Sequence, residues 1–123
     1  MFDHVGLRVK DLAASARFYT EVLAPLGYVP GPSGDDYAGF GPTGQPALWL
    51  HAAGSGPGGG THVAFRAADH ASVQRFHDAG LRAGGRDNGK PGPRPDYGPT
   101  YDAAFLIDPD GNNIEAVCMV DAV

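Results

Sequence analysis

Residues 3–27, DHVGLRVKDLAASARFYTEVLAPLG, return 58 positions later as residues 61–85, THVAFRAADHASVQRFHDAGLRAGG. Nine of these 25 aligned positions are identical, beginning with His4, Val5, Arg8 and Asp11 and ending at Gly27. Unrelated segments of ordinary composition would share about two. A chain of 123 residues has room for one domain, so the duplication predicts a single domain made of two copies of one module, residues 1–57 and 58–123.

Each copy reads as a strand followed by a helix. From His4 to Val9 the side chains alternate, with Val5, Leu7 and Val9 on one face and His4, Gly6 and Arg8 on the other. In the second copy His62, Ala64 and Arg66 share a face opposite Val63, Phe65 and Ala67. Asp11 and Asp69 stand where a helix N-cap is wanted, because a carboxylate accepts the orphan backbone N–H groups of the first turn. Leu12, Ala16, Tyr19 and Leu23 follow at helical spacing up to Gly27, and Val73, Phe76 and Gly80 do so up to Gly84-Gly85. Further strands are expected near Tyr28, over 37–40 and over 47–51, and again over 103–107 and 114–120 around the turn Asp108-Pro109-Asp110-Gly111. Each half is thus expected to run β-α-β-β-β, with Gly54–Gly60 as a flexible linker. Residues 84–102 hold four prolines and are expected to form a long loop, a kind of segment more often functional than idle.

Composition narrows the functional classes. A net charge of −5 with nine Lys and Arg argues against a nucleic-acid partner. No apolar run approaches the roughly 18 residues that span a bilayer, and the N-terminus carries no signal-peptide core. Cys118 is the single cysteine, so no internal disulfide can form, and a cytoplasmic location is the expectation. Gly and Pro are abundant, at 19 and 11 residues, but they cluster between the periodic segments, as turns do.

Three residues carry the chemistry. His4 and His62 occupy equivalent positions of two pseudo-symmetric strands, so they are expected to face a shared space. Glu115 interrupts the apolar strand Ile114-Glu115-Ala116-Val117-Cys118, and a carboxylate there needs a cation, a set of donors or solvent. A divalent metal would compensate all three at once. His70 and His77 have no histidine partner in the repeat and read as helix-surface residues. Arg8 and Arg66 are candidate substrate contacts, although pairing with a carboxylate is the commoner role for at least one of them. Tyr97 and Tyr101 could donate a proton to a bound oxyanion or simply fill the loop. Arg86, Lys90 and Arg94 could draw an anion to the site.

The segments Asp3-His4-Val5-Gly6-Leu7-Arg8-Val9, His62-Val63-Ala64-Phe65 and Asp108-Pro109-Asp110-Gly111-Asn112-Asn113-Ile114-Glu115 resemble those of the vicinal oxygen chelate superfamily, which contains glyoxalases, bleomycin-resistance proteins and extradiol dioxygenases. The resemblance covers essentially the whole chain. It implies an α+β fold of two tandem βαβββ modules, a partly open barrel around a cavity, and a homodimer whose sites lie within or between subunits. It also implies metal ligation by His4, His62 and Glu115; Glu115, with Tyr97 and Tyr101 of the loop, is a candidate catalytic group. The first module departs from the pattern: Trp49 stands where its carboxylate ligand would be, and His51 could replace it only if the strand shifted. The remaining two histidines and one carboxylate suit Lewis-acid lyase or isomerase chemistry, the leading expectation, with an Fe(II) extradiol dioxygenase as the alternative. Fe, Zn, Ni, Mn or Co could fill such a set. A metal-free drug-binding protein is the alternative from another class. Trp49, Tyr97 and Tyr101 suggest a planar or aromatic small molecule as substrate.

Overall fold

Each half of the chain runs strand, helix and three more strands. In a computed structural model describing residues 1–53 and 59–120, the first half contains β1 (Val5–Val9), α1 (Leu12–Leu23), β2 (Val29–Ser33), β3 (Tyr37–Gly41) and β4 (Leu48–Ala52). The second contains β5 (His62–Arg66), α2 (His70–Arg82), β6 (Arg86–Pro93), β7 (Asp102–Ile107) and β8 (Asn113–Cys118). Most of the expected linker, and with it the boundary between the modules, falls at residues 54–58, outside the described residues.

Both N-caps form as the aspartates require. Asp11 accepts from the Ala14 N–H at 3.1 Å and Asp69 from the Ser72 N–H at 2.7 Å. After α1 a 3-10 turn over Ala24–Leu26 ends at Gly27, whose φ of 87° is a left-handed conformation that a side chain would strain.

The strands form two four-stranded mixed sheets, ordered β1-β4-β3-β2 and β5-β8-β7-β6. In each, the first strand of the module forms one edge and pairs in parallel with the last strand, and the remaining contacts are antiparallel. The fold is α+β, and its sheets remain partly open rather than closing a barrel. One face of each sheet packs on its own helix, and the two helices pack on each other. Leu7, Val9, Phe18, Leu50, Phe76, Leu106 and Ile114 therefore share one core drawn from both modules. Burying each large side chain contributes about 1.5–3 kcal/mol. At Gly80 the second helix approaches β7 so closely that an added Cβ would lie 2.2 Å from Leu106 Cδ1.

The long loop expected at 84–102 is largely a strand, since β6 occupies Arg86–Pro93. Its composition hides this, because Gly and Pro are depleted in strands in general. Edge strands are the exception: one side needs no ladder hydrogen bonds, so proline is tolerated there. The strand β6 is an edge strand and breaks register between Asp87 and Gly89 and again between Gly89 and Gly92. The same holds for β2, whose sequence is VPGPS. Only residues 94–101 remain as a loop, closed by a 2.7 Å bond from the Arg94 N–H to the Tyr101 carbonyl.

Candidate functional site

Glu115 lies on the face of the second sheet turned away from the helices, on β8 between Ala64 of β5 and Phe105 of β7. It is only 2 % exposed, so its charge must be met by neighbours. Two meet it. The Tyr101 hydroxyl donates to Oε2, and His62 Nε2 stands 3.2 Å from Oε1. On its other side, His62 places Nδ1 at 3.0 Å from the Asn113 carbonyl oxygen, an acceptor that holds the proton on Nδ1. The imidazole also stacks on Phe105, with centroids 6.4 Å apart and planes inclined by 21°. Arg94 covers the same phenyl ring at 5.5 Å and donates to the carbonyls of Lys90 and Gly92, which ties it to β6.

This arrangement aims His62 Nε2 at a carboxylate oxygen. Two acceptors facing each other at 3.2 Å repel unless a proton or a cation lies between them. Two adjacent ligands, each about 2.1 Å from one ion, stand about 3 Å apart, so the pair fits a divalent metal. The Nδ1 contact to a backbone carbonyl is the kind of outer contact that orients a ligating histidine.

Burial, and next the neighbouring Glu115 carboxylate, push the Tyr101 hydroxyl up to about 12, so it remains a proton donor throughout the neutral range. Tyr97 is exposed and meets Tyr101 edge-on at 5.3 Å, without a bond to Glu115.

His4 is not brought to this pair within one chain. It precedes β1, is exposed, and bonds Asp3 at 2.7 Å. Among the described residues, no three His, Cys, Asp or Glu side chains gather as a metal-holding group. His4 instead borders a cavity of about 350 Å³ between the modules, with Arg66 on another part of its wall. Arg8 and Arg66 are exposed, and neither joins an ion pair among the described residues, contrary to the commoner role expected for at least one of them.

The first sheet repeats the second with different side chains. Trp49 pairs with Gly6 and Gly39, just as Glu115 pairs with Ala64 and Phe105. Trp49 therefore occupies the place of a second carboxylate. The register on either side of it is continuous, so His51 is not shifted into that place and lies opposite Arg8.

His77 corrects the sequence reading, being buried rather than on the surface: its Nε2 lies 2.8 Å from Asp87 Oδ1, between α2 and β6. His70 lies at the start of α2 and reaches the Val120 carbonyl at 2.9 Å. The roles of Phe105 and Arg94 beside His62 went unseen in the sequence. Alternation along 103–107 could have placed Phe105 on the Glu115 face, whereas Arg94 depends on the unforeseen path of β6.

The model of the Glyoxalase/Bleomycin resistance protein/Dioxygenase superfamily matches residues 1–116. The chain belongs to this superfamily. It is 30 % identical to a glyoxalase/bleomycin resistance protein from Albidiferax ferrireducens, with a TM-score of 0.84 over 96 % of this chain and 98 % of that one. A glyoxalase-related enzyme from Fulvimarina pelagi shares the fold at 22 % identity and a TM-score of 0.73, covering 93 % and 84 % of the two chains. A superfamily enzyme from Burkholderia phytofirmans does so at 16 % identity and 0.72, covering 96 % and 98 %. No curated protein matches. Superfamily members commonly bind small molecules, and among the described residues no helix is long and apolar enough to cross a membrane.

Proposed function

We propose that the protein is a metal-dependent enzyme acting on a small oxygenated molecule through two vicinal oxygens, with lyase or isomerase chemistry. The observation carrying this reading is the His62–Glu115 pair: a ring nitrogen 3.2 Å from an oxygen of a nearly buried carboxylate, with His62 held from behind by the Asn113 carbonyl. His62 and Glu115 would hold the ion, and His4 of a second copy would complete the set in a homodimer. The helix-free sheet faces support that assembly, since each module presents its half of the site outward. A divalent metal bound there supplies Lewis acidity that polarises a carbonyl or stabilises an enolate. Tyr101 holds the Glu115 carboxylate in one orientation and keeps a proton beside it. Arg8 and Arg66 are the candidate charges for an anionic substrate, with Tyr97 at the rim.

A second reading, an extradiol-type Fe(II) dioxygenase, is favoured by one feature. Trp49 takes the place of a second carboxylate, leaving two histidines and one carboxylate with positions open for substrate and dioxygen.

The test is Glu115→Gln, which keeps the shape and removes the anionic ligand. Bound metal per chain, measured after loading with Fe(II), Zn(II), Ni(II), Mn(II) or Co(II), is expected to fall at least tenfold, together with turnover. Wild-type protein that retains none of the five metals but binds small molecules unchanged in the variant would identify a sequestering protein instead. Oxygen uptake with catechols separates the dioxygenase from an oxygen-independent lyase.

A further inference from the structure

We infer that the outward face of the first sheet is a shelf for a planar aromatic anion, with the Trp49 indole as its surface and Gly39 as the residue that lets the indole lie flat. Three ring side chains share this end of the sheet, and each lies over a glycine. A Cβ built on Gly39 falls 2.6, 2.9 and 2.9 Å from Trp49 Cζ3, Cε3 and Cη2, three atoms of the same six-membered ring. The benzo ring therefore rests face-down on the Gly39 backbone. A Cβ on Gly34 would fall 2.5 Å from Tyr37 Cε1, and one on Gly6 would touch the His51 ring at 3.5 Å. None of the three glycines has a left-handed φ, so each contributes space rather than conformational freedom.

One ring face of Trp49 is occupied by the sheet, and the residue stays partly exposed; Tyr37 flanks it at 6.2 Å, tilted by 51° and 37 % exposed. Such a surface matches another π-face, because offset stacking gains both dispersion and quadrupole attraction that an aliphatic ligand lacks. Arg8 follows Gly6 on the same face, opposite His51, and joins no ion pair among the described residues. Its charge selects an anionic substituent. The corresponding pair in the second module is Phe105 and Glu115, so the ring sits on the last strand in the first module and on the strand before it in the second. The inference rests on the proposed function in one respect: in the homodimer this shelf becomes the wall opposite Glu115, and so specifies the substrate's ring.

The experiment uses the only tryptophan in the chain as the reporter. Metal-stripped protein is titrated with 4-nitrobenzoate, a planar aromatic anion, and with cyclohexanecarboxylate, which has the same charge but no π-face. Saturable quenching by the first, with at least tenfold weaker binding of the second by calorimetry, supports the shelf. Arg8→Met is expected to weaken 4-nitrobenzoate binding several-fold while leaving the quenching at saturation unchanged. Gly39→Val should lift the indole and weaken binding about tenfold. If that variant does not fold, Trp49→Leu, followed by calorimetry, takes its place. Equal affinity for the two carboxylates, or purely collisional quenching, overturns the shelf. Metal content, measured separately, distinguishes the two readings. Metal bound without selective quenching removes the shelf alone, and selective quenching in a protein that binds no metal removes the metal reading alone.

Discussion

Glu115 and Tyr101 share a hydrogen bond in a place where neither could easily stand alone. The carboxylate is almost fully buried, and the hydroxyl that donates to it is pushed up to about 12. Tyr101→Phe removes the donor without changing the volume. If Glu115 ligates a metal, losing an outer hydrogen bond of this kind typically costs 10–100-fold in affinity or activity. That loss should appear in metal-binding titrations, with the folded spectrum retained. The raised value also has a consequence for stability. The folded state holds the Tyr101 proton more tightly than the unfolded chain, so this contribution is complete below the ordinary tyrosine value near 10 and fades as pH rises toward 12. Denaturant melts of wild type and Tyr101→Phe should converge across that alkaline interval.

At the scale of the elements, the strand edges and the helix contacts behave differently. The edge strands β2 and β6 are rich in Gly and Pro, so composition disguises them, whereas β4, β7 and β8 are apolar and legible. One contact joining β6 to its helix is that of His77 with Asp87. The Gly89 N–H first, and then His77, hold the Asp87 carboxyl below its usual value. Such a depressed carboxyl stabilises the fold fully above the ordinary carboxylate range, and the contribution is lost as pH falls through the folded value. Asp87→Asn is expected to flatten the acid limb of the stability profile, measured by thermal melts between about pH 5 and pH 3. In the core of the first module, Leu50 is fully buried in the central strand β4. Leu50→Ala should cost about 2–5 kcal/mol in urea unfolding through the lost transfer energy and the residual cavity.

Across the whole molecule, the turn Asp108-Pro109-Asp110-Gly111 locks one module to the other. Asp108 accepts the Tyr19 hydroxyl at 2.5 Å as well as the Asn112 side-chain amide at 2.9 Å. Asp110 accepts the Lys10 N–H at 2.8 Å and the Ser15 hydroxyl at 3.0 Å. Burial raises the Tyr19 hydroxyl far above its ordinary value, so it stays a donor. Tyr19→Phe leaves a buried carboxylate short of one partner and is expected to cost about 1–3 kcal/mol. The proposed homodimer makes a sharper prediction. If each site takes His4 from one copy and Glu115 from the other, His4→Ala and Glu115→Gln chains are each inactive alone. Mixed in equal amounts and refolded together, they form heterodimers with one intact site, restoring about a quarter of wild-type activity. Sites built within one chain would leave the mixture inactive.

Duplication, alternation and capping are local properties, and they made much of this molecule readable in advance. The repeat announced two modules, Asp11 and Asp69 marked both helix starts, and alternation placed His62 on the outward face of its strand. Glu115 stood out because a charge inside an apolar strand needs an explanation whatever the fold. The place of Trp49 followed from counting along β4, and the register agrees. Contacts between segments distant along the chain were another matter. Whether His77 was exposed depended on where β6 ran. Tyr101 and Tyr97 looked alike until the loop closed and brought only Tyr101 to Glu115. His4 and His62 are equivalent in the repeat but not in their surroundings. Helix packing between the modules, a sum of many side-chain contacts over both halves, decides which sheet faces are buried within one chain and which stay outward.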